Sequence, residues 1–114
     1  MTRLVDSLQN FVSTYHAKDD LVKAYDNWSC SIALIASDSD ETVSLQIENG
    51  KVVDMEHLPE EVDLLITSDS GVLYDILEFR RDPNEPYMFG ELTVQGPEEH
   101  FMRLDYIMSM LCPH

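Results

Sequence analysis

The chain has 114 residues, 44% of them hydrophobic, and seven Lys and Arg against 22 Asp and Glu, for a formal net charge of −15. That length makes one domain over residues 1–114, able to bury roughly two thirds of its unfolded surface without a disulfide or metal staple, and the apolar share excludes wholesale disorder. The charge repels phosphate backbones and anionic lipid headgroups alike, which excludes nucleic-acid binding and leaves at most transient membrane contact.

Leu4, Leu8, Phe11, Val12 and Tyr15 keep helical spacing, which predicts an amphipathic helix over residues 3–17 closed by Lys18-Asp19-Asp20. A link through Leu21, Val22 and Tyr25 leads to a strand from Trp28 to Ala36, rich in Ile and Leu as a strand buried on both faces would be. Asp38-Ser39-Asp40 turns the chain. Val43, Leu45 and Ile47 then alternate with polar neighbours, the pattern of a strand with one wet face. Asn49-Gly50 is a hairpin signal, because both central residues of a type I′ turn need positive φ, so residues 51–57 return antiparallel. Leu58-Pro59-Glu60-Glu61 breaks the pattern, and Val62 to Thr67 forms a fourth strand.

Ser68 or Ser70 is placed to cap the next helix, which carries Val72, Leu73, Ile76 and Leu77 on one side. Residues 80–86 read as a polar loop, followed by an apolar patch of Tyr87, Met88 and Phe89 and a strand within Gly90–Gly96. Pro97, with Glu98 and Glu99 behind it, starts a helix that runs to Leu111. The order is helix, three-strand meander, strand, helix, strand, helix. That is an α+β protein with a five-stranded, mostly antiparallel sheet covered by helices.

The last helix is apolar on too many sides. Phe101, Leu104, Met108 and Leu111 make one stripe that seats it on a core, and Met102, Tyr106 and Met110 make a second ridge at i, i+4, i+8. Such a ridge covers a partner or an apolar ligand, and methionine suits surfaces of variable shape.

Catalytic patterns are missing from the sequence. The four histidines form no HExxH motif, and Ser70-Gly71 lacks the flanking glycine of a nucleophile elbow, so no enzyme, metal or cofactor is expected. Cys30 and Cys112 lack CxxC spacing, which fits free thiols in a reducing compartment. No stretch nears the roughly 18 apolar residues of a membrane span, and Asp6, Gln9 and Asn10 fall where a signal peptide needs an apolar block. A cytoplasmic location is expected.

Several segments together carry a family resemblance. The strand Val62-Asp-Leu-Leu-Ile-Thr-Ser68, the helix end Asp75-Ile-Leu-Glu-Phe79, the loop Arg80-Arg-Asp-Pro83, and Gly90-Glu-Leu-Thr-Val-Gln-Gly96 before a Leu/Met-rich helix resemble the SCP2 sterol-carrier family. The resemblance implies a five-stranded sheet backed by helices around an apolar tunnel. The tunnel would take a sterol, fatty acyl or isoprenoid-like lipid, without catalysis. Carried onto this chain, the tunnel wall would come from Tyr74, Leu77, Tyr87, Met88, Phe89, Phe101, Met102, Leu104, Tyr106 and Met108. Two departures stand out: Glu78 and Phe79 occupy a place where the family commonly has glycine, and Glu91 one where it has lysine. The acidity favours ligand binding over membrane-to-membrane transfer, and suits a basic partner protein. The other reading is an accessory or regulatory subunit that docks on a metabolic enzyme, or on its own copy as a homodimer, through an apolar helix face and has no cavity.

Overall fold

The computed structural model describes residues 4–39, 41–55 and 61–111. Helix α1 (Leu4–His16) and the short α2 (Asp19–Ala24) precede three consecutive strands, β1 (Cys30–Ala36), β2 (Glu41–Glu48) and β3 (Lys51–Asp54). Strand β4 (Leu64–Ser68) leads into α3 (Ser70–Leu77), α4 (Asn84–Met88), β5 (Leu92–Gln95) and α5 (Glu98–Leu111). The sheet order is β3-β2-β1-β4-β5, and only the central β1–β4 pair is parallel.

Register shows which side faces the helices. Ile32 lies between Leu45 and Leu64, and Leu34 between Val43 and Ile66, which in turn pairs with Val94. Partners across a ladder share a face, so this side is a continuous apolar floor. The alternate positions of β1, Ser31 and Ala33, are also buried, because small side chains on a central strand are shaded by their neighbours. Leu4, Leu8, Phe11 and Tyr15 of α1 are buried, as are Val72, Leu73, Ile76 and Leu77 of α3 and Phe101, Leu104, Ile107, Met108 and Leu111 of α5. In α5 these include the stripe Phe101, Leu104, Met108 and Leu111 that spacing placed on the core, and Ile107, which spacing did not single out, joins it.

The hairpin tip is pinned from below. Asn49 and Gly50 have φ of 53° and 80°, as the turn requires. Gly50 N–H donates to Trp28 O at 2.9 Å, and the buried Tyr15 hydroxyl donates to Gly50 O at 2.5 Å. A Cβ on Gly50 would lie 2.6 Å from Tyr25 O, so the turn also needs glycine for space. Burial pushes the Tyr15 phenol up to about 12.

Four details differ from the sequence expectations. The link after α1 contains α2, and the polar loop contains α4. Both are shorter than an amphipathic period reveals, and packing rather than propensity forms them, through buried Val22 in α2 and buried Pro86 in α4. Pro86 sits in the first turn of its helix, where its missing N–H is harmless. The cap of α3 is neither Ser68 nor Ser70 but Asp69, whose carboxylate accepts from Val72 N–H at 2.8 Å. Ser68 ends β4 and donates to Glu91 O at 2.6 Å, while Ser70 donates through N–H and hydroxyl, each at 2.9 Å, to Asp38. Strand β3 ends at Asp54 and β4 starts at Leu64; residues 56–60, Cys112 and His114 lie outside the described part.

Candidate functional site

Between the apolar floor of the sheet and the helices α3 and α5 lies an enclosed gap. Ile32, Leu34, Leu45, Ile66 and Leu92 form its base, Leu73, Ile76 and Leu77 one wall, and Leu104, Met108 and Pro83 the cover. Every lining side chain is hydrocarbon or thioether. The space open to the centre of a water molecule is about 10 Å³, room for one water at most, and no lining side chain could hydrogen-bond it. The interior is therefore dry and nearly closed in this conformation. A larger guest enters only if the cover moves.

That cover is one assembly. Asn84 N–H donates to Asp105 Oδ1 at 3.2 Å, and the Ser109 hydroxyl donates to Asp82 Oδ1 at 3.1 Å, so the 82–88 segment is tied to α5 at two points. The rings of Tyr87 and Phe101 meet at 4.9 Å between them. At the start of α5, Trp28 Nε1–H donates to His100 Nδ1 at 2.9 Å. Apart from the ring contact these links are single hydrogen bonds worth roughly 0.5–1.5 kcal/mol each, and none belongs to the sheet ladder. Partial burial, and then the neighbouring Asp82, push the Asp105 carboxyl above its ordinary range, although the Asn84 N–H pulls it back.

The ten residues named from the resemblance separate into groups. Leu77, Leu104 and Met108 line the gap. Phe101 is buried under Tyr87, which is 42% exposed at the rim. Tyr74 is half-buried on α3, its phenol pushed up by desolvation and then by the carboxylates of Glu41 and Asp38. Met88 and Phe89 are exposed at 74% and 75%. Met102 and Tyr106 do not line the gap: they stand on the outer side of α5 at 61% and 53% exposure, because a helix whose inner stripe is seated must turn its second ridge away. Spacing had already shown Leu73, Ile76 and the sheet floor as apolar faces, but without a signal that they surround a space. Pro83, in the supposed polar loop, had no signal at all.

Cys30 is buried, its thiol pushed up to about 12 by burial and then by Asp63, which makes it a core residue rather than a nucleophile. Asp63 accepts from Ser31 N–H at 3.0 Å and fixes the approach to β4. Among the described residues no three His, Cys, Asp or Glu side chains are grouped to hold a metal, and no helix is long and apolar enough to cross a membrane.

The sequence profile of the SCP-2 sterol transfer family matches residues 8–109. No curated protein matches the chain in sequence. Among solved structures the chain is similar to the ubiquinone synthesis protein UbiJ-SCP2, with 16% identity, a TM-score of 0.69, and 94% of this chain and 91% of that one covered. It is similar to sterol carrier protein 2 at 19% identity and a TM-score of 0.68, over 93% and 90%. Palmitated SCP2L2 from Aedes aegypti follows at 17% identity and 0.61, over 90% and 98%. The fold also occurs in the sec-alkylsulfatase Pisa1 from Pseudomonas sp., of whose length this chain spans only 14%.

Proposed function

This chain belongs to the SCP-2 sterol transfer family, and from that premise we propose that it binds and carries one apolar ligand of the sterol, fatty acyl or isoprenoid-like class, without catalysing a reaction on it. The observation that carries the reading is the gap under α5, whose lining offers a guest nothing but apolar contact. Such a wall selects by shape and greasiness, at roughly 0.8 kcal/mol per buried methylene. Leu77, Leu104 and Met108 are its proposed contacts. Tyr87, Met88 and Phe89 form the rim past which the ligand enters, Phe101 supports Tyr87 through their ring contact, and Tyr74 lies on α3 outside the lining.

Loading requires α5 and the 82–88 segment to swing outward together, because the resting gap holds at most one water. Burying a chain of several methylenes outweighs the Trp28–His100 hydrogen bond that opening breaks, since the Asn84–Asp105 and Ser109–Asp82 bonds travel with the cover. The Aedes aegypti neighbour, described as palmitated, supports a fatty acyl guest in this fold. Free, buried Cys30 suits a reducing compartment, so cytoplasmic residence is part of the proposal.

Native mass spectrometry of the freshly purified protein, with displacement of an environment-sensitive fluorophore by palmitate, tests the reading. Wild type should carry or take up one lipid-sized mass. Met108→Phe, which fills the gap from its cover, should weaken uptake about tenfold while circular dichroism stays unchanged. No uptake by wild type, or full uptake by a folded Met108→Phe protein, overturns it.

A further inference from the structure

Met102, Tyr106 and Met110 form a continuous ridge on the side of α5 turned away from the gap, each more than half exposed. The ridge is one wall of a groove. Leu21, Ala24 and Tyr25, in or next to α2, form the other, with the Tyr25 and Tyr106 rings 6.3 Å apart. Two concavities of about 640 and 470 Å³ share Tyr106 and lie along α5 in succession. From Met102 to Met110 the ridge runs about 12 Å, the reach of two helical turns.

Charge says what fits. Asp19 and Asp20 edge the Met110 end, and Glu98 and Glu99 the Met102 end. Two cations, Lys18 and Arg103, also border the groove; Arg103 and Glu99 pair at 2.6 Å, which leaves Asp19, Asp20 and Glu98 as the acids the groove offers a partner. The whole chain carries −15 around this apolar floor.

We propose that this groove docks a basic amphipathic helix of a partner protein, its apolar side chains seated between the two methionines and Tyr106 and its Lys or Arg over the acidic ends. In helix-in-groove recognition the docked helix inserts anchors at i, i+3/4 and i+7, a span that a floor of about 12 Å accommodates, and methionine floors adapt to varied partners. A second copy of this chain would bring the same acidic ends together against a net charge of −15 on each side. An anionic bilayer meets the same repulsion. The inference goes beyond the carrier reading and does not depend on it.

The test uses ligand-free protein and a fluorescein-labelled Leu/Lys amphipathic helix of about 18 residues, five turns, read by anisotropy. Binding should weaken about tenfold in Met102→Ser/Tyr106→Ser, and as much in Asp19→Asn/Asp20→Asn/Glu98→Gln, which should also lose most of its salt dependence. Val53→Ser, another exposed apolar residue but on β3, should bind as wild type does. Thermal melts of each variant establish that it is folded. Equal binding of a Leu/Glu helix, or unchanged affinity in both groove variants, overturns the proposal. So does equally tight binding to phosphatidylglycerol vesicles, or a micromolar dimer in sedimentation that Met102→Ser/Tyr106→Ser dissolves.

Discussion

Trp28 Nε1–H donates to His100 Nδ1 at 2.9 Å, joining the approach to the central strand to the first turn of the helix that covers the gap. Trp28 is only 3% exposed, and its ring stacks beside the imidazole with centroids 6.2 Å apart. His100→Ala leaves an indole donor buried without its partner, which costs about 1–3 kcal/mol. Urea unfolding followed by the emission of Trp28, the only tryptophan, should show a loss in that range, with His100→Gln recovering part of it. A loss below about 0.5 kcal/mol would mean that water replaces the acceptor and that the bond does not hold α5 down.

Phe79 carries a φ of 64°, a left-handed conformation that a side chain adopts at a cost. It follows the end of α3, where Phe79 N–H donates to Ile76 O at 3.2 Å and Arg80 N–H to Asp75 O at 2.7 Å, the paired bonds of a glycine-type helix stop. The ring compensates by packing 6.0 Å from that of Phe11. Phe79→Ala loses the ring and keeps the strained backbone; Phe79→Gly loses the ring and relieves the strain. Both should destabilise, and the alanine variant by about 1 kcal/mol more in denaturant titrations. Equal losses would show that the backbone position is not strained.

Long segments were legible in the sequence because burial imposes a period on them. Residues 4–16, 41–48 and 98–111 show theirs plainly, and the family's glycine position before Arg80 is the one where Phe79 takes positive φ. Helices α2 and α4, with six and five residues, are too short to show one. The cap of α3 was ambiguous because Ser68, Asp69 and Ser70 are all good caps, and only the end of β4 decides among them. The two ridges of α5 were readable as ridges, but spacing does not say which faces inward. Whether a gap remains beneath α5 depends on side-chain fit to a fraction of an ångström, which no pattern of residue types encodes.

Two carboxylates push stability in opposite directions with pH. Asp105 has its pKa raised, chiefly by burial, so the folded state holds its proton more tightly than the unfolded chain and gains stability as pH falls through the carboxylate range. Asp105→Asn keeps an acceptor for Asn84 N–H and removes the charge. It should melt higher than wild type at neutral pH, with the difference shrinking in acid. Asp38 is lowered, first by the Ser70 backbone N–H and then by its hydroxyl, so its contribution is present above the ordinary carboxylate pKa and lost as pH falls through the depressed one. Asp38→Ala should melt lower than wild type at neutral pH and converge with it in acid. Melting curves at several pH values decide both, and parallel offsets across the range would contradict the assignments.

Salt weighs general repulsion against local pairs. Arg80 with Asp75 at 2.7 Å, Arg81 with Glu91 at 2.9 Å and Arg103 with Glu99 at 2.6 Å are surface ion pairs, each contributing little and weakened by screening. Against them stands a net charge of −15 on a molecule whose Cα radius of gyration is 12.9 Å, so most unpaired carboxylates lie within a few Debye lengths of one another at low salt. Repulsion should win. Raising NaCl from about 20 to about 300 mM should lift the melting temperature by several degrees, because roughly 1 kcal/mol shifts a domain of this size by about 4 °C or more. The rise should level off once the Debye length falls below the spacing of neighbouring acids. A fall instead would show that the three arginine pairs contribute more to the fold than the surplus of acids takes away.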